Sequence, residues 1–173
     1  GYRVPRQILD FASLLLPRIA PGLAPARSLR QDPGSAAVVA AAPADLASLL
    51  TQVCADALGR PGSAALIAAD AQVGVFSRML GSAGVAHEVL DGAGLGARLT
   101  LVPVTLAKGL EFDHVIVAEP AEIVAAHSHG LHHLYVALTR AVSRLTVLHT
   151  APLPEPLRSA ADGLGALPRV STP

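Results

Sequence analysis

Tryptophan is absent from this 173-residue chain, cysteine occurs once, as Cys54, and aromatic residues make up 3%. A single thiol excludes an intrachain disulfide framework and a Cys-rich zinc site, and it fits a reducing, cytoplasmic setting. Net charge is also lacking, since 13 Lys+Arg balance 13 Asp+Glu. No chain-wide basic field can recruit nucleic acid, so any such binding has to be local. Lysine is nearly missing: Lys108 stands alone among twelve arginines. Long hydrophobic runs are missing as well, because Pro, Gly, Asp or Arg interrupts each one before the roughly 20 residues a membrane span needs. No membrane partner is expected. The chain opens on Gly1 without a charged-then-apolar leader, and the expectation is of a segment taken from a longer protein.

Apolar residues make up 51% of the chain and charged ones 15%, enough for one compact core and too few charges for disorder. Ile8, Phe11, Ala12, Leu15 and Ile19 fall at helical spacing after Pro5, which predicts a helix over 4–20, frayed or kinked near Pro17 and finished by Pro21-Gly22. Residues 23–35, rich in Pro, Ala and Arg, read as an ordered connection or hinge. The short apolar run 36–41 reads as a buried parallel strand. A helix follows from Pro43, with Leu46, Leu49, Leu50, Val53 and Leu58 inward and Cys54 as core packing. A second strand is expected at 64–68, then a helix capped by Asp70 with Val73, Phe76 and Leu80 inward. Further strands are expected at 87–90, 100–105, 114–119 and 145–149, with a glycine-rich turn at 91–96, a helix at 131–142 and a Pro-rich tail after His149. This alternation implies a mainly parallel sheet with helices on both faces, and a site at the carboxyl ends of its strands.

Three segments carry the chemistry. Val104-Thr105-Leu106-Ala107-Lys108-Gly109-Leu110-Glu111-Phe112-Asp113 brings opposite charges and a permissive glycine to a strand-end loop. It reads either as a hairpin with a surface ion pair or as a ligand loop. In His133-Leu134-Tyr135-Val136-Ala137-Leu138-Thr139-Arg140-Ala141, helical geometry puts Leu131, Leu134, Tyr135, Leu138 and Val142 on one face and points Arg140 away from it. Arg140 is then either solvated or aimed at phosphate oxygens. Tyr2-Arg3 places a planar ring beside a guanidinium ahead of the first helix.

Taken together these segments resemble the C-terminal half of superfamily 1 helicase motors of the UvrD/Rep type. Lys-Gly-Leu-Glu-Phe-Asp at 108–113 is similar to motif V, Leu-Tyr-Val-Ala-Leu-Thr-Arg-Ala at 134–141 to motif VI, and Tyr2-Arg3 to motif IV, in family order. The resemblance implies a three-layer α/β RecA-like domain over 1–150, with 151–173 as a C-terminal tail. It implies an ATP-dependent DNA helicase or translocase whose nucleotide lies between this domain and an N-terminal RecA-like domain of the same protein. No Gly-x-x-x-x-Gly-Lys-Ser/Thr segment occurs here, so the phosphate cradle and Mg2+ ligands would come from that other domain, and this chain alone would be inactive.

By the same resemblance Arg140 and Arg3 would be the catalytic arginines at the γ-phosphate, Tyr2 would stack on adenine, Glu111 would accept from the ribose, and Gly109 would shape the nucleotide loop. Thr105, Lys108 and Thr139 would face nucleic acid or relate it to the nucleotide. Thr105 stands where many relatives have His, and Leu131, His132 and His133 stand where paired arginines are common. Only residues 91–98 separate the preceding strand from the next, leaving no room for the usual accessory insertion. In these respects the chain looks most similar to the HelD-like branch, whose members bind RNA polymerase and release it from nucleic acid. His127, His129, His132 and His133 read as a polar loop rather than a metal site, and no metal ligand set is assigned. A free-standing doubly wound domain for a small ligand is the remaining alternative.

Overall fold

The computed structural model describes residues 3–91 and 96–164. Tyr2, most of the glycine-rich turn and the end of the tail lie outside them.

The first helical pattern forms as two helices, α1 (Arg6–Ser13) and α2 (Leu16–Ile19), with Pro17 in the first turn of α2, where its missing N–H costs nothing. Residues 20–35 form no helix or strand. Then come β1 (Ala36–Ala40), a 3-10 turn at Pro43–Asp45, α3 (Leu46–Leu58), β2 (Ala64–Ala68), a second 3-10 turn at Asp70–Gln72, and α4 (Val73–Ser82). The short β3 (Glu88–Val89) and β4 (Leu99–Pro103) follow, then a third 3-10 turn at Val104–Leu106 and β5 (Phe112–Ala118). The chain continues through α5 (Pro120–Ala126), α6 (Gly130–Leu138), β6 (Ala141–His149) and α7 (Glu155–Ala161).

The strands form one six-stranded sheet in the order β1-β6-β5-β2-β4-β3, and every pairing is parallel. Both faces are covered. Alternation along β2 shows why: Ala65 and Ile67 pack with Ile8, Phe11, Leu134 and Leu157 on the face of α1, α6 and α7, while Ala64, Leu66 and Ala68 pack with Leu50, Cys54, Phe76 and Leu80 on the face of α3 and α4. Cys54 is fully buried, which pushes its thiol pKa up to about 12.

Several expectations need correcting. The strand drawn over 100–105 ends at Pro103 and turns into 3-10 helix, and the strand drawn over 114–119 begins two residues earlier, at Phe112. The helix drawn over 131–142 stops at Leu138, and Ala141 already belongs to β6, paired with Phe112. Leu138 and Val142 mimic a continuing helical stripe, but the parallel ladder with β5 claims the chain first. Asp70 does not cap its helix by a side-chain bond. Two helices were not expected. One is α5, entered through Glu119 in the left-handed region (φ 53°); the other is α7, within the Pro-rich stretch, which buries Leu157 beside Leu153.

Candidate functional site

Because all strands run one way, the sheet has a carboxyl edge and an amino edge, and the expected site residues divide between them. Glu111 directly precedes β5 and Arg140 directly precedes β6, where Phe112 and Ala141 are register partners. The Phe112 N–H donates to the Arg140 carbonyl at 3.0 Å. Arg3 reaches the same place, its Nη1 lying 3.3 Å from Glu111 Oε2 in an exposed ion pair. Arg3, Glu111 and Arg140 thus assemble at the amino edge, not at the carboxyl ends of the strands. The physical reason is the return path: α6 runs back across the sheet and delivers its C-terminus to the start of β6.

The Arg140 guanidinium does not project from a helix face. It is half-buried and folds back, Nε donating to the Val136 carbonyl at 3.0 Å, Nη1 to the Leu110 carbonyl at 3.3 Å and Nη2 to Thr139 Oγ1 at 3.2 Å. Thr139 is buried, and its hydroxyl lies 3.0 Å and 3.1 Å from the carbonyls of Tyr135 and Val136. Val136, Thr139 and Leu110 therefore form a cradle for one guanidinium. Among the described residues no carboxylate pairs with it.

The segment 104–111 crosses from the carboxyl edge to the amino edge. At its start, Thr105 donates both its N–H and its hydroxyl to the Asp70 carboxylate, at 3.2 Å and 2.5 Å. Lys108 and Gly109 are exposed in mid-crossing, and Gly109 adopts a φ of 83°, the left-handed conformation expected of a glycine here. The segment ends at Glu111. Thr105 and Arg140 are consequently near opposite ends of one connection, and Thr139 lies with Arg140 rather than with Thr105.

His133 lies in the N-terminal half of α6. Burial, with the neighbouring His127 and His132, holds its pKa below the ordinary imidazole value, against a smaller upward pull from Asp70. Its ring meets that of His127 edge-on at a centroid distance of 5.1 Å. Among the described residues no three His, Cys, Asp or Glu side chains come together as a metal site. Near the amino edge, Asp113 accepts from the Ser63 N–H at 2.8 Å and from its hydroxyl at 3.1 Å. The Ser63 N–H is the main reason its carboxyl is held below the usual range.

Sequence reasoning missed Arg30. It lies in the aperiodic connection, and its Nη1 donates to the carbonyls of Val142 at 2.7 Å and Arg3 at 3.3 Å. A partner 112 positions away leaves no local signal. An arginine in a stretch otherwise without polar periodicity was the one available hint.

The fold is an α/β domain built on one all-parallel six-stranded sheet, with these arginines gathered at its amino edge. Residues 99–148 match the family model described as UvrD-like helicase C-terminal domain. That segment contains Thr105, Lys108, Gly109, Glu111, Thr139 and Arg140, but not Arg3. The structure is similar to the C-terminal domain of a possible DNA helicase from Lactobacillus plantarum WCFS1, with a TM-score of 0.67 and 24% identity over 91% of this chain and 92% of that one. It is also similar to the arterivirus nonstructural protein 10 helicase solved with DNA (TM-score 0.52, 17% identity, 93% of this chain and 36% of that one). A second crystal structure of the arterivirus nonstructural protein 10 helicase gives 0.50 and 16%, over 96% and 33%. The chain therefore spans about a third of the viral helicase's length. No curated protein matches. Among the described residues no helix is long and apolar enough to cross a membrane.

Proposed function

We propose that this chain is the C-terminal motor domain of an ATP-dependent DNA helicase or translocase of superfamily 1. It forms one wall of a nucleotide site completed by an N-terminal RecA-like domain of the same protein. The observation that carries this reading is the state of Arg140. A guanidinium has five N–H donors, and three are engaged within the chain, so one on each terminal nitrogen is left for anionic oxygens. A half-buried cation with no carboxylate partner among the described residues, held in place by a preformed cradle, suits a phosphate. Arg3 is the second phosphate ligand and Glu111 the ribose acceptor, with Tyr2 stacking on adenine and Gly109 giving the loop its bend.

ATP, when bound with Mg2+, supplies the phosphoanhydride whose cleavage drives movement. Mg2+ would be held by acidic residues of the other domain. The two remaining Arg140 donors face the charge that develops on the transferring phosphoryl group, a contribution of about 10³ to 10⁵ in rate for arginines of this kind. Lys108, Thr105 and Thr139 relate this edge to the nucleic-acid track. The test is ATP turnover of the intact protein on single-stranded DNA. Arg140→Ala is expected to lower turnover at saturating ATP by about 10³ or more, and Arg140→Lys, which keeps the charge but loses the fork, to rescue little of it. Turnover within a few-fold of the unaltered protein would overturn the reading.

One observation favours a second reading, a HelD-like module that docks on RNA polymerase and uses the nucleotide to release it from nucleic acid. The Thr105 hydroxyl proton is given to Asp70, so a carboxylate stands where a phosphate would approach, and the exposed side chains of Leu106 and Val75 make that edge apolar as well as acidic. Stimulation of turnover by RNA polymerase and not by single-stranded DNA would select this reading.

A further inference from the structure

Arg30 connects three segments that meet at the amino edge. Its carbonyl accepts the Arg6 N–H at 2.9 Å, at the start of α1. Its guanidinium donates from one nitrogen to the carbonyl of Arg3 and to that of Val142, two residues beyond Arg140. Nε is paired with Asp32 at 2.5 Å, which fixes the plane of the guanidinium. The connection carrying it has no helix or strand of its own. Besides Arg30, the Arg3 segment is held by Val4 in the core and by the exposed pair of Arg3 with Glu111, just ahead of β5, and exposed pairs hold weakly.

We propose that Arg30 is a positioning residue for the nucleotide site, holding the Arg3 segment against the start of β6 so that the guanidinium groups of Arg3 and Arg140 address the same phosphates. It touches no nucleotide itself. This rests on the reading of Arg3 and Arg140 as phosphate ligands. Its energetic logic is preorganisation: the Arg140 guanidinium is held by backbone carbonyls and the Arg3 main chain by Arg30, so less ordering is left for the moment the ligand binds. A lysine could reach one of these carbonyls but lacks the planar fork that serves both the carbonyls and Asp32.

The experiment compares Arg30→Ala, Arg30→Lys and Arg140→Ala in the intact protein, measuring kcat and KM for ATP together with thermal unfolding. Arg30→Ala is expected to raise KM about tenfold or more and to lower kcat by a smaller factor. The melting temperature should move little, because the side chain is exposed, and Arg30→Lys should recover part of the KM. A fall in melting temperature with KM and kcat unchanged would reduce Arg30 to a structural tie and overturn the proposal, as would unchanged kinetics and stability. The Arg140→Ala arm separates the two claims. If it abolishes turnover while Arg30→Ala does nothing, only the positioning role fails; if neither matters, the nucleotide reading fails with it.

Discussion

Asp70 and Thr105 are joined twice across the carboxyl edge, the carboxylate accepting both the backbone N–H and the hydroxyl of Thr105. Asp70→Asn keeps one acceptor and loses the charge. The lost hydrogen bond is expected to cost about 0.5–1.5 kcal/mol, read from denaturant unfolding. If this edge belongs to the nucleic-acid track, affinity for a single-stranded oligonucleotide should rise about threefold at low salt, and the gain should fade as salt is added. An oligonucleotide affinity that ignores the substitution would take Thr105 off the track.

Gly130 opens α6 where the chain passes over α5. A Cβ added there would lie 2.0 Å from the Val124 carbonyl oxygen, which is backbone and cannot swing away. Gly130→Ala is expected to cost about 1–3 kcal/mol, lowering the melting temperature by roughly 3–10 °C. Gly81→Ala, in α4 with nothing within 4 Å of the added atom, is the control and should be neutral or slightly stabilising. Equal melting temperatures for the two variants would contradict the close approach of α5 and α6.

Acid should weaken the fold in two separable steps. The His133 pKa is lowered in the folded state, so as pH falls below about 6.5 the unfolded chain takes up a proton that the native state resists, and stability is lost. The Asp113 pKa is lowered as well. Its contribution is present above the unfolded carboxyl value and disappears as pH falls from about 4 through the folded value. Urea midpoints should therefore fall less steeply for His133→Asn between about pH 7.5 and 5, and less steeply for Asp113→Asn below about pH 4.5. A slope for either variant as steep as that of the unaltered protein would rule out the corresponding group.

The sheet was legible wherever a strand is a short apolar run bounded by glycine or proline. The span 64–68 reads the same in sequence and structure, because a strand buried on both faces must be apolar throughout. The inner faces of α3 and α4 were legible from the spacing of Leu50, Val53, Phe76 and Leu80. The end of α6 was not, since Leu138 and Val142 continue a helical stripe and only the pairing of Ala141 with Phe112 says otherwise. For α5, the entry through Glu119 and only two buried positions, Pro120 and Ile123, leave too short a pattern to detect. The candidate site was legible as residue types, through the Lys-Gly-Leu-Glu and Thr-Arg-Ala segments. Its location was not, because the choice of edge depends on the direction in which α6 crosses the sheet. The carbonyls that hold Arg140 and Arg30 carry no side-chain signature at all.

The register of Phe112 with Ala141 has a practical corollary. Residues 111 and 140 each sit one step before a ladder position on neighbouring parallel strands, which run about 4.8 Å apart. Their main-chain stations are dictated by strand pairing, so truncating one side chain leaves the other's anchor where it was. A thermodynamic cycle on Glu111 and Arg140 would then report how the two groups communicate, uncontaminated by a shifting scaffold.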